Sequence, residues 1–122
     1  MKTTTLQLLP TTTYGTPSGN YDGSSADFNG DPEQAADYYG GFGSLQTIAF
    51  FLANFNGRIL IQASLDTNPT QDSQWFRAYE FDTSSSVITD SFSVNITGNF
   101  TWIRARVEDF FEGSIEKIAM SY

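Results

Sequence analysis

The sequence contains neither cysteine nor histidine among its 122 residues. The lack of cysteine excludes disulfide bonds, thiolate catalysis and zinc–thiolate sites. The lack of histidine removes the commonest general base and the commonest transition-metal ligand. Any nucleophile–base pair would need a lysine or a carboxylate as its base, and no spacing marks such a pair. The sequence therefore predicts that the protein is not an enzyme.

Basic residues are also scarce, because six Lys and Arg stand against fourteen Asp and Glu, for a net charge of −8. Binding to phosphates requires concentrated Lys and Arg, so we expect no nucleic acid and no anionic membrane as partner. The first residues carry no apolar stretch long enough for a signal peptide. We therefore expect a protein that is made in a cytoplasm and is not secreted by a signal peptide.

Aromatic residues, in contrast, make up 16% of the chain, and long stretches of helix-forming residues are missing. Aromatic and β-branched residues favour pleated, half-buried surfaces. Short apolar segments separated by turn residues predict an all-β fold, namely a single-domain antiparallel β-sandwich of the jelly-roll, discoidin-like kind. Residues 1–30 are predicted to form an N-terminal arm and an irregular loop, and residues 31–122 the sandwich domain.

The most apolar part of the chain, residues 45–65, contains Asn56-Gly57 between two β-forming segments. This dipeptide is the strongest short-range signal for a β-hairpin with a tight turn. Both alternating faces of residues 45–55 are largely apolar, so the segment predicts a central strand that is covered on both sides.

Further strands are predicted at residues 75–81, 91–97 and 100–107, each with alternating side chains, and a last strand is predicted at residues 114–122. The segment around Asp109 and Gly113 is expected to be a turn between the last two strands. Pro32 suits the first position of a helix, so residues 33–38 are expected to form one helical turn.

Four oxygen-bearing residues follow each other at every second position: Asp27, Asn29, Asp31 and Glu33. A hard cation such as Ca²⁺ takes oxygen ligands of this type. The pattern departs from the EF-hand loop, because Tyr38 stands where the bidentate glutamate would be. A cluster of turns in an acidic loop explains the same residues without a metal, so the protein is expected to have no cofactor, with Ca²⁺ as the alternative.

Aromatic and arginine side chains supply the candidates for an interface or a ligand site. Stacking faces on a β-sandwich suit sugar rings, but Tyr, Trp and Arg are equally common in protein–protein interfaces. The interface is the favoured interpretation, because Arg104 and Arg106 share the predicted strand face of Trp102 and suggest Arg–aromatic packing. The candidates are Tyr38, Tyr39, Phe42, Trp75, Trp102, Arg104 and Arg106.

Several short motifs together resemble a β-sandwich module that recurs in virion structural proteins of tailed phages, especially those of marine cyanobacteria. The resemblance covers residues 31–122, and its second half is the more distinctive. The motifs are Asp-Tyr-Tyr-Gly at 37–40, Thr-Ile-Ala-Phe at 47–50, Asn-Phe-Asn-Gly at 54–57, Ile-Gln-Ala-Ser-Leu at 61–65, Asn-Pro at 68–69, Gln-Trp-Phe at 74–76, Gly-Asn-Phe-Thr-Trp-Ile-Arg-Ala at 98–105 and Gly-Ser-Ile-Glu-Lys-Ile at 113–118.

The resemblance implies a virion structural protein that decorates a capsid or joins a tail or neck assembly, without catalysis. The expected partners are other virion proteins and further copies of the same chain, and the expected location is the virion. The arm and the loop at residues 11–30 are expected to make the contacts. A second hypothesis remains open, in which the protein is a carbohydrate-binding module that attaches the virion to host glycans.

Overall fold

The computed structural model describes residues 5–38, 44–83 and 86–122. Four long or moderately long strands, β5 (Leu45–Ser64), β6 (Phe76–Asp82), β7 (Ile88–Thr97) and β8 (Trp102–Ser121), form most of the sheet. The other strands are short: β1 (Thr5–Leu9), β2 (Thr12–Thr13), β3 (Phe28–Asn29) and β4 (Glu33–Gln34). A single 3-10 turn covers Asp72–Gln74. No described segment is a helix of the length and apolarity that a membrane span requires.

The apolar segment that begins at Leu45 is one continuous strand and not a hairpin. β5 runs through Asn56 and Gly57 and pairs antiparallel with β8 on both sides of them, from Thr47 opposite Ser121 to Ser64 opposite Trp102. The predicted turn at Asn56-Gly57 is therefore wrong. The left-handed residue is Asn54, with φ 53°, and the register shifts there bend the strand instead of reversing it.

The predicted turn between the last two strands is wrong for the same reason. β8 continues from Trp102 to Ser121, and Asp109 (φ 53°) and Gly113 (φ 87°) lie at a bend opposite the bend of β5. Bulges of this kind insert a residue into one strand and bend the ladder without ending it. Each 20-residue strand consequently serves both layers of the fold.

The bends divide the sheet into two half-sheets that share β5 and β8. In the first half-sheet, β1 and β2 pair with the end of β8, and β7 pairs with the beginning of β5. In the second, β3 and β4 pair with the beginning of β8, and β6 pairs with the end of β5. All pairings are antiparallel, which confirms the predicted all-β antiparallel class. The jelly-roll and discoidin-like details stay a prediction.

The hydrophobic core lies between the two half-sheets. Phe50 of β5 stacks on Phe92 of β7 with ring centroids 4.8 Å apart, and Phe81 of β6 contacts the same Phe92 at 4.9 Å. Because β6 and β7 belong to different half-sheets, these rings show that the half-sheets face each other. The alternating residues Ile103, Ala105 and Val107 of β8 are fully buried in this core.

The N-terminal stretch contributes to the same core. Leu8, Leu9, Tyr21 and Phe28 are all buried, and the rings of Tyr21 and Phe28 lie 4.9 Å apart. The core contains residues from both sides of residue 30, where the sequence predicted the arm and loop to end and the sandwich to begin. That division stays a prediction. Residues 33–38 do not form a helical turn, because Glu33–Gln34 is β4 and residues 36–38 form a turn.

The outward face of β5 is less covered than the sequence suggested. Ile48, Phe50 and Leu52 are buried, but Ala49, Phe51 and Ala53 on the other face are only partly covered, and Leu45 is 52% exposed. The prediction that both faces of this strand are buried is therefore wrong. No second layer of the described residues covers this face of the first half-sheet completely.

Candidate functional site

A small aromatic cleft is formed where β8 begins. Trp102, Pro32, Asn68 and Pro69 line a cavity of about 190 Å³. Tyr38 packs edge-on against the indole of Trp102, with centroids 5.3 Å apart and an interplanar angle of 81°. The indole Nε1 donates a hydrogen bond of 2.8 Å to the carbonyl oxygen of Thr67. The polar edge of the ring is thus satisfied, and an apolar ring surface lines the cleft.

Backbone hydrogen bonds fix the two walls of this cleft. The single hydroxyl hydrogen of Thr101 is shared between the carbonyl oxygens of Ser64 (2.9 Å from the hydroxyl oxygen) and Asp66 (2.7 Å), which ties the loop after β5 to the start of β8. On the other side, the amide of Ala35 donates to the carbonyl of Thr101 at 2.9 Å. The two proline rings are therefore held on either side of Trp102.

Trp75 and Arg104 form a second, closed arrangement. The guanidinium carbon of Arg104 lies 4.5 Å from the centroid of the Trp75 ring, and both residues are only 9% exposed. Arg104 also donates to Gln62 Oε1 at 2.7 Å and to Asp72 Oδ1 at 3.2 Å. Arg104 thus packs on an aromatic ring, but this ring is that of Trp75 and not that of Trp102, on whose strand face the sequence predicted the packing. The Trp75 ring is therefore covered by the chain itself.

Three of the four candidate calcium ligands accept hydrogen bonds from other residues of the chain. Asn29 Oδ1 accepts a hydrogen bond from Arg106, Asp31 Oδ1 accepts from Asn20, and Asp27 Oδ1 accepts from the amide of Asp109. Burial, together with the nearby Asp31, raises the pKa of Glu33 above its ordinary value. Within residues 5–38, 44–83 and 86–122, no group of three or more acidic side chains is arranged to hold a metal ion. Arg106 additionally donates to Glu108 at 2.8 Å.

A charged cluster around Arg58 was not anticipated from the sequence, because the hairpin prediction placed this residue beside a turn. Its guanidinium donates to Glu108 at 3.0 Å and lies 3.6 Å from Asp109 and 3.8 Å from Asp82. Burial acts to lower the pKa of Arg58, but the negative charges of Asp109, Asp82, Glu108 and Glu80 outweigh it and raise that pKa. The cluster lies beside the bend and links β5, β6 and β8.

The open side of the first half-sheet presents a nearly uncharged surface. Two rows of small or neutral side chains cross β1, β8, β5 and β7, and residues that pair directly share one face. Lys117 lies at one end of this surface, with its ammonium 5.3 Å from the ring centroid of Phe51. We call this surface the neutral face, and its rows are Thr5–Ser121–Thr47–Asn95 and Gln7–Ala119–Ala49–Ser93.

The structure thus brings Tyr38 and Trp102 together in the cleft, and Trp75 with Arg104 in a packed pair. Arg106 belongs to the polar contacts around Asn29 and Glu108. Tyr39 and Phe42, which were also predicted as site residues, lie outside the described residues. The chain matches no protein-family model, and it shows no significant similarity to the curated proteins or solved structures with which it was compared.

Proposed function

We propose that the protein is a non-enzymatic structural protein of a tailed-phage virion, either a capsid decoration protein or a component associated with the tail or neck. It acts through contacts with other virion proteins and with copies of itself. The location that follows is the virion, after synthesis in the host cytoplasm. The sequence resemblance provides the virion context for this proposal.

The observation that carries the proposal is the neutral face. Its two rows contain no charged side chain, although the whole chain carries a net charge of −8. Ala119 and Ala49, which are partly covered, lie at the centre of the second row, and Phe51 lies beside Lys117 at one end of the surface. Protein interfaces lose charged residues at their centres and keep aromatic and apolar groups there. This surface therefore suits contact with another protein better than the acidic remainder of the molecule does.

The test is the incorporation of the protein into particles of the virus that encodes it. We expect the wild-type protein to copurify with virions in a fixed number per particle, and Ala49→Glu to reduce that number because a carboxylate is placed inside the interface. Thr70→Glu, with the same change of charge in an exposed loop, is the matched control. The proposal is wrong if purified virions lack the protein.

A carbohydrate-binding module is the second candidate function, and the cleft at Trp102 favours it. An aromatic ring surface between two proline rings, with the Asn68 amide at the rim, suits the apolar face and hydroxyl groups of a sugar. A cavity of about 190 Å³ is smaller than a site for a drug-sized ligand, so it would accept a single ring. Trp75, which the sequence offered for the same role, is covered by Arg104.

A glycan array followed by titration calorimetry separates the two functions. If the module binds sugar, Trp102→Ala should abolish the signal, while Phe111→Ala, which removes a 58% exposed aromatic ring elsewhere, should leave it unchanged. The absence of any glycan signal for the wild-type protein, together with its incorporation into virions, would eliminate the carbohydrate function.

A further inference from the structure

The edges of the sheet differ in how well they are protected against pairing with another strand. An edge strand presents unpaired N–H and C=O groups, and proteins usually protect it with charges, proline, bulges or short length. β6 is seven residues long and carries Arg77, Glu80 and Asp82. β1 has five residues, and Gly30 lies against the carbonyl of Leu8 beside it. Both of these edges are therefore protected.

β7 has almost none of these protections. It has ten residues, no proline, and Asp90 as its single charge. From Asp90 to Thr97 it pairs with β5 residue by residue without a register shift, and among the described strands β5 is its sole partner. A regular stretch of eight residues thus leaves its second row of backbone groups without a strand beside it.

The apolar side chains under this edge are also incompletely covered. Phe92 and Val94 of β7 point towards the core but are only half-buried, and so are Tyr79 and Phe81 of β6. Ile103, Ala105 and Val107, in the middle of the sheet, have no exposed surface at all. The core therefore keeps some exposed apolar surface beside β7, which a neighbouring strand would cover.

We propose that the β7 edge is the site where two copies of this chain associate, by antiparallel pairing of β7 with β7 about a two-fold axis. A second copy of the chain is a suitable partner, because a two-fold interface uses the same surface of both subunits and the β7 edge of one copy can pair with the β7 edge of the other. Charge supports this occupant: two chains of net charge −8 repel each other elsewhere, but the residues from Ser91 to Thr97 bring no carboxylate to the contact.

The position of Asp90 restricts the register. If the axis passes close to Val94, the two Asp90 residues are separated by eight residues along the strands, or about 27 Å at the rise of an antiparallel strand. That distance exceeds the screening length of about 8 Å at physiological ionic strength. The neutral face then continues from one subunit to the other. This inference deepens the proposed protein–protein function by naming the contact between copies.

The test uses sedimentation equilibrium of the full chain. We expect a monomer–dimer equilibrium for the wild-type protein, and Ser93→Glu to raise the dimer dissociation constant at least about tenfold, since like charges brought together in an interface are strongly unfavourable. Thr70→Glu is the matched control, with the same charge change in an exposed loop that belongs neither to the β7 edge nor to the neutral face. It should leave the equilibrium unchanged.

Two further measurements separate edge pairing from an effect on folding. An equimolar mixture of Ser93→Glu and Ser93→Lys should associate more tightly than either variant alone, which a folding defect cannot produce. Because the chain has no cysteine, Ser93→Cys supplies a single thiol, and a short thiol cross-linker should give a covalent dimer that Thr70→Cys does not give.

A monomeric wild-type protein at every concentration overturns the inference, and so does equal association of Ser93→Glu and Thr70→Glu. These outcomes are distinct from failure of the proposed function. A monomer that is still found in virions overturns the edge pairing alone, whereas a β7-linked dimer that is missing from virions overturns the virion function alone.

Discussion

Gly113 of β8 lies directly against the carbonyl group of Asn54 of β5, so closely that a β-carbon on Gly113 would overlap that oxygen. Both residues have positive φ, 87° for Gly113 and 53° for Asn54, and both lie where the two 20-residue strands bend. The bend is therefore made by two left-handed residues packed backbone to backbone. It allows one pair of strands to form both layers of the fold.

Replacing Gly113 with alanine should strongly destabilise the protein. The substitution combines backbone strain with a steric clash against Asn54 and Ala53, so we expect a loss of about 3 kcal/mol or more in the free energy of unfolding. Gly15 is the matched control, because its φ is 86° but a β-carbon there meets no atom within 4 Å. Gly15→Ala should cost only about 1 kcal/mol of strain. Urea denaturation measures both, and equal losses would contradict the role of the close contact.

Arg104 should matter far more for stability than its ion-pair partner Asp72. Arg104→Lys loses the planar fork that donates to Gln62 while stacking on Trp75, and we expect a loss of about 1–3 kcal/mol. The Asp72 side chain is 88% exposed, so Asp72→Ala should cost no more than about 0.5 kcal/mol. Thermal or urea unfolding of the two variants provides the comparison. A larger effect of Asp72→Ala would show that the ion pair dominates.

Asp22 should stabilise the protein at neutral pH, and this stabilisation should be lost in acid. The amides of Ser24 and Ser25, followed by the Ser25 hydroxyl, lower the pKa of this carboxyl from 3.8 to about 2. Because the folded-state pKa is lowered, the stabilisation is present above pH 3.8 and disappears as the pH falls through about 2. Asp22→Ala should therefore lower the melting temperature at pH 7, and the difference from wild type should narrow at pH 2. A difference that is constant with pH would contradict this account.

Glu33 should show the opposite pH dependence. Burial and the neighbouring Asp31 raise its pKa, so the protonated form is favoured in the folded state and the stabilisation is lost as the pH rises through that pKa. Glu33→Gln should increase stability at pH 7, by no more than about 0.5 kcal/mol, and should have no effect at pH 3. Glu116→Gln, on an exposed residue, is the control. Calorimetry at the two pH values measures the difference.

Calcium should have little effect on the melting temperature. Asn29 and Asp31 already accept hydrogen bonds from Arg106 and Asn20, and Arg106 brings a positive charge to the place where a cation would bind. An ion that binds only the folded state raises its stability in proportion to the logarithm of ion concentration. A melting temperature that rises with Ca²⁺ and falls again with chelator would establish the calcium site that the sequence offered as an alternative.

Alternation of apolar residues located the strand-forming segments and separated their two faces, although it did not give the strand ends. Phe92 and Ile96 of β7 share one face, as do Ile103, Ala105 and Val107 of β8, and in both strands this is the face towards the core. These patterns are local, because successive side chains of a strand point to opposite faces whatever the strand pairs with. The Arg–aromatic pairing was also foreseen, although the ring beneath Arg104 is that of Trp75 and not Trp102.

Tertiary structure alone decided whether a glycine-containing turn signal reverses the chain or bends it. Asn56-Gly57 reads as a hairpin in isolation, but the pairing of β5 with β8 on both sides of it keeps the strand continuous. The cleft at Trp102 and the Arg58 cluster both join residues that are distant in sequence. The open β7 edge likewise depends on which strand β7 pairs with. All three features therefore follow from long-range strand pairing. The sequence by itself determined an acidic all-β protein without cysteine or histidine, and long-range strand pairing decided which surfaces it presents.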